Sequence, residues 1–84
     1  MAKVYILKSL RTGRYYVGST VDLDRRLSEH GRNHSPYTRK RGPWKLVYQE
    51  AYDSMVRARQ REREIKGWKS HRLIEQLITR SNAG

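Results

Sequence analysis

The chain has 84 residues, 19 Lys plus Arg against 8 Asp plus Glu, and a formal net charge of +11, so it has room for one small core and suits a polyanionic partner. Its 36% hydrophobic content at regular periods excludes a disordered basic tail, and the lack of cysteine excludes disulfides, a thiolate nucleophile and a zinc finger. No interfacial or transmembrane apolar segment and no signal-peptide h-region is legible, so the expectation is a cytoplasmic, nucleoid-associated protein that works on DNA, with RNA as the second choice.

Lys3 to Lys8 is rich in β-formers, Thr12-Gly13 supplies a turn, and Arg14 to Ser19 is a second β-rich run, which together predict a β-hairpin. Asp22 to His30 reads as a short helix, acidic in its first turn and followed by Gly31. Residues 31 to 43 are polar, basic and broken by Gly and Pro, the pattern of a loop. Trp44 to Tyr52 predicts a third strand. Asp53-Ser54 caps a helix to about Lys66 that Gly67 ends, and Ser70 opens a last helix carrying Leu73, Ile74, Leu77 and Ile78. The order β-β-α-β-α-α makes an α+β domain over residues 1–80 with a three-stranded sheet, and 81–84 are expected to fray.

Helical phase sorts the polar residues. On the first helix Leu23 and Leu27 mark the buried face. At about 100° per residue, Arg26 falls about 60° and His30 about 20° from Leu23, whereas Arg25 falls about 160° away. Arg26 and His30 are therefore expected on or beside the core-facing stripe, and Arg25 in water. On the second long helix, Met55, Ala58 and Ile65 form an apolar stripe that Glu62 completes, and Glu64 is turned to the surface to pair with a nearby Arg. An inward carboxylate costs several kcal/mol to desolvate unless a cation meets it. Spacing alone leaves two readings for Glu62: a metal ligand, or one half of a structural ion pair with a residue such as Arg26.

Lys3-Val4-Tyr5 and Tyr16-Val17-Gly18, followed by Asp22-Leu23-Asp24-Arg25-Arg26-Leu27, Pro43-Trp44-Lys45-Leu46-Val47-Tyr48 and Arg61-Glu62-Arg63-Glu64-Ile65-Lys66, form an ordered set. That set resembles the GIY-YIG nuclease family, in particular its small stand-alone bacterial members, related to the N-terminal nuclease domain of an excision-repair subunit. The resemblance covers residues 3 to 78. It implies a metal-dependent endonuclease of DNA repair or recombination whose catalytic residues are Tyr5, Tyr16, Arg26, His30 and Glu62. It also implies one Mg²⁺ or Mn²⁺ held by Glu62, with Arg26 on the phosphate, Tyr16 at the attacking water, and Tyr5 and His30 orienting water or relaying protons. Gly18 is a structural residue near the site, where a backbone approaches phosphate closely or where crowding must be relieved. The chain departs from the family at Lys3, in place of the first Gly of the name. It departs again at Ser19, where repair-subunit domains carry a Lys, and in lacking their downstream Asn, since Asn82 lies in the tail. A weakly catalytic nucleic-acid-binding module is the alternative reading.

Arg32, Arg39, Lys40 and Arg41 of the loop, with Arg59, Arg63 and Lys66 of the second long helix, are the expected DNA contacts. Such residues neutralise phosphates without reading sequence, and nothing in the chain resembles a recognition helix. Selection by DNA structure rather than by sequence is expected.

Overall fold

A computed structural model describes the backbone of residues 1–31 and 43–83, with the side chains of 1–28 and 43–81. Arg32, Arg39, Lys40, Arg41 and the loop expected around them lie outside the described residues, as does the side chain of His30.

The described residues form three strands, β1 (Ala2–Ser9), β2 (Tyr15–Thr20) and β3 (Trp44–Tyr52), and three helices, α1 (Leu23–Gly31), α2 (Met55–Gly67) and α3 (His71–Ala83), in the chain order β1-β2-α1-β3-α2-α3. This is the expected α+β order, and the sheet is antiparallel throughout in the order β2-β1-β3. The central strand reads almost continuously apolar because both of its faces are covered. Ala2, Val4 and Ile6 meet Val17, Ala58 and Ile65 on the α2 face, while Tyr5 and Leu7 meet Leu23 on the α1 face. A register shift between Ile6 and Leu7 sets Tyr48 opposite the first and Leu46 opposite the second.

The hairpin closes through Ser9, whose buried hydroxyl accepts from the backbone N–H of Arg11 and Thr12 at 3.2 and 3.0 Å. Gly13 takes a left-handed φ of 76° there, as the sequence turn requires. Asp22 Oδ1 accepts from the Arg25 N–H at 3.1 Å to cap α1, and Ser54 Oγ caps α2 through the Arg57 N–H.

α2 ends at Gly67, as the sequence reading has it. The left-handed position two residues on belongs to Lys69 at φ 48°. Ser70 caps α3 as expected, through the Leu73 N–H at 3.2 Å. The last helix continues to Ala83 rather than stopping near Arg80.

Candidate functional site

The register decides where the two motif tyrosines go. Tyr5 pairs with Gly18 and Leu7 with Tyr16, so Tyr5 and Tyr16 are diagonal neighbours on the α1 face of the sheet. Their ring centroids are 6.4 Å apart, and Tyr16 meets Trp44 edge-on at 6.2 Å. Tyr5 is 2% exposed. Its ring lies over Gly18 so closely that a Cβ there would sit 2.5 Å from the phenol oxygen and 2.6 Å from Cζ. Gly18 is thus the place where the backbone makes room for the Tyr5 ring, the crowding alternative of the sequence reading.

Glu62 approaches from the other side. It stands on the stripe of α2 that faces the sheet, between buried Ala58 and Ile65, and its side chain keeps 20% of its surface. The Ser19 hydroxyl donates to Oε1. The Lys66 ammonium, one turn further along α2, donates to Oε2 at 2.6 Å. Glu62 is thus one half of an ion pair, one of the two readings that spacing left open, and Lys66 is a partner in it. Ser19 and Lys66 are the residues whose part at Glu62 sequence reasoning missed. The i, i+4 order of Glu62 and Lys66 carried that signal, and their pairing was legible from it.

Arg26, Arg59 and Arg63 join Glu62, Ser19 and Met55 around one cleft at the end of β2. Arg26 is exposed and lines this cleft, while α1 packs on the sheet through Leu23 and Leu27. Arg25 is exposed as expected. The structure therefore gathers Arg26, Arg59, Arg63 and Glu62. Tyr5 and Tyr16 form a separate pair on the opposite face, and Tyr16 also borders a second, more apolar cleft with Ile65, Lys66 and Lys69. β2 is an edge strand of the sheet, so among the described residues no further strand pairs along its outer side.

Electrostatically the cleft holds one carboxylate among three arginines. Among the described residues no group of three or more His, Asp or Glu converges in metal-ligating fashion. A cation held here would have Glu62 as its protein carboxylate, with solvent and phosphate oxygens completing its shell, as Mg²⁺ accepts.

A second polar cluster was not foreseen. Arg61 of α2 turns in to Glu50 of β3 at 3.1 and 3.2 Å through Nε and Nη2. Tyr48 and Tyr52 donate their hydroxyls to the same carboxylate, and Arg61 reaches Glu64 as well. Burial pushes the Tyr48 phenol up to about 12, helped by the Glu50 hydrogen bond and charge. Burial works to raise the Glu50 carboxyl, but hydrogen bonds from Arg61, Tyr48 and Tyr52 outweigh it and hold the group below its ordinary value. Every polar group in this cluster has a partner within the fold, the mark of a structural lock.

Residues 1–75 match the profile of the GIY-YIG catalytic domain. A UPF0213 protein of Halalkalibacterium halodurans is 42% identical over 77 residues, covering 90% of this chain and 80% of that one. A UPF0213 protein of Natronomonas pharaonis is 44% identical over 64 residues, covering 75% and 74%. The solution structure of a UPF0213 protein of Bacillus halodurans superposes with a TM-score of 0.59 at 41% identity, over 94% of this chain and 84% of that one. The names of these relatives carry no activity; the domain match does, and by it this chain belongs to the GIY-YIG family, a nuclease domain family whose substrates are nucleic acids.

Proposed function

We propose that the chain is a divalent-metal-dependent endonuclease that hydrolyses phosphodiester bonds in DNA and selects its substrates by structure rather than by base sequence. The observation that carries this reading is the convergence of Glu62 with Arg26, Arg59 and Arg63 in one cleft at the end of β2, an edge strand. Phosphodiester hydrolysis needs a positioned water, cationic groups on the phosphoryl oxygens and relief of charge on the leaving oxygen. In this reading Arg26 clamps the scissile phosphate through its guanidinium fork. Arg59 and Arg63 hold flanking phosphates, joined by Arg32, Arg39, Lys40 and Arg41 from the loop.

Tyr16 orients the attacking water and accepts its hydrogen bond, with Tyr5 and His30 positioning it or relaying the proton. Glu62 holds a single Mg²⁺ or Mn²⁺, which when bound supplies Lewis-acid stabilisation of the leaving oxygen. Its half-buried carboxylate is a hard oxygen donor of the right kind, and Ser19 fixes its orientation. A role in DNA repair or recombination accords with structure-selective cutting.

Cleavage of branched, flapped and single-stranded DNA with Mg²⁺ or Mn²⁺, compared between wild type and Glu62→Ala, tests the reading. Loss of at least a hundredfold in rate is expected for removal of the metal-holding carboxylate. Cleavage that survives this substitution would overturn it. One observation favours a second reading, a nucleic-acid-binding module with little turnover: Ser19 and Lys66 already satisfy one oxygen each of Glu62. Salt-sensitive binding without metal-dependent cleavage of any of the three DNA forms selects that reading.

A further inference from the structure

Beside the Glu62 cleft, one turn further along α2, lies a second cleft of about 530 Å³ between the edge strand and the α2–α3 corner. Its floor is apolar, made by Val17, Ile65 and Ile74. Tyr15 forms an aromatic wall whose ring is held by His71 at 4.6 Å between centroids and by the Lys8 ammonium at 5.9 Å. Lys66 and Lys69 stand on its rim. This volume falls in the range of small-ligand sites, about 300–1,000 Å³. An apolar floor with an aromatic wall takes a flat, weakly polar group, and two ammonium groups at the rim take an anion attached to it. A nucleotide has both parts.

Two further observations tie this cleft to the first. Lys66 links the two, lining the apolar cleft while its Nζ reaches Glu62 of the first. Four residues of helix separate them, about 6 Å along the axis, which is within reach of the nucleotide next to a phosphate at Glu62. Lys69 holds the left-handed backbone position at φ 48°, where glycine is the unstrained residue, so the rim carries an ammonium at a conformational cost.

We propose that this cleft is a nucleobase subsite, which receives one unstacked base of a single-stranded or frayed strand while Lys66 and Lys69 meet its phosphates. A base in a duplex presents its faces to its neighbours, so only a strand that is single or opened offers one to the Tyr15 wall. The substrate class of the nuclease is then nucleic acid with an unpaired nucleotide beside the scissile bond. This rests on the Glu62 cleft as the place of that bond.

The test is binding in the presence of a chelator, so that turnover is not required. Fluorescence anisotropy compares oligothymidylate with an abasic oligomer of the same length at one salt concentration. About tenfold weaker binding of the abasic strand is expected, the equivalent of one stacked base. Lys69→Gly relieves the left-handed strain, so it leaves the thermal midpoint unchanged or raised while weakening oligothymidylate binding several-fold. Ile74→Ala, with its fold checked by circular dichroism, narrows the gap between the two oligomers. Equal affinity for both strands overturns the proposal. So does a base-dependent gap that neither variant changes, or sedimentation showing that a second copy covers the β2 edge while binding ignores the base. Cleavage is scored separately with Mn²⁺: base-dependent binding without cleavage sinks the endonuclease reading and keeps the subsite.

Discussion

Tyr5 and Gly18 show what a single atom decides in this fold. The phenol ring occupies the space of the missing Cβ, and both residues belong to the sheet that positions Tyr16. Gly18→Ala is therefore expected to force the ring or the β1–β2 register to shift, with a loss of about 1–3 kcal/mol in stability by chemical denaturation. Gly67→Ala is the contrasting case, since nothing lies within 4 Å of a Cβ there and the backbone is helical. It should be neutral or stabilising by up to about 1 kcal/mol in the same assay. Glu62 makes the corresponding point for charge. Its orientation is fixed by Ser19 from the strand and Lys66 from its own helix, and it lines the cleft in that position.

At the scale of elements, α2 is held to the sheet by packing and by one polar clasp. Ala58 and Ile65 are fully buried, and Arg61, next to Glu62 in sequence, clasps Glu50 of β3 while its guanidinium sits 5.5 Å from the centre of the Trp68 ring. Glu50→Ala leaves Arg61, Tyr48 and Tyr52 without their shared acceptor, and a loss of about 2–3 kcal/mol is expected. Asp53→Ala removes an exposed pair to Arg57 at 3.7 Å and should cost less than about 0.5 kcal/mol.

The clasp also fixes how stability responds to pH. Glu50's carboxyl is lowered in the fold, so its contribution is in place above its ordinary value of 4.5 and is lost as pH falls through the lowered one. Tyr48 is raised to about 12, so its contribution is in place below pH 10 and is lost as pH rises from 10 towards 12. Thermal midpoints measured across pH should form a plateau bounded on the acid side by Glu50 and on the alkaline side by Tyr48. Tyr48→Phe should flatten the alkaline limb.

For the molecule as a whole, the net charge of +11 is tolerable because the cationic side chains are spread over a radius of gyration of 12.3 Å and two of the arginines of α2 are neutralised in pairs. Arg59 and Arg63 instead line the cleft with Arg26. Affinity for nucleic acid should fall steeply with salt. Arg59→Gln and Arg63→Gln should each lower the slope of log affinity against log salt by about 1, read from anisotropy titrations at several salt concentrations. Arg57→Gln, on a residue already paired with Asp53, should change that slope less.

Much of this was legible in the sequence because it is periodic or local. The order of strands and helices, the Ser54 cap, the phase that separates Glu62 from Glu64 and Arg25 from Leu23, and the ordered tyrosine motifs all lie within a few residues of chain. The partners of Glu62 and Glu50 were partly or wholly out of reach. Ser19 meets Glu62 across 43 positions and Arg61 meets Glu50 across 11, so neither contact has a local signature. The exposure of Arg26 and the sharing of a face by Tyr5 and Tyr16 depend in the same way on how far a short helix covers the sheet and on hairpin register. Composition and periodicity determined a small basic α+β protein with one inward carboxylate on its second long helix, since each residue's burial follows from its phase. Only the tertiary structure decided that Ser19 meets that carboxylate and that Arg26 shares its cleft, because those are distances between segments that the chain itself leaves free.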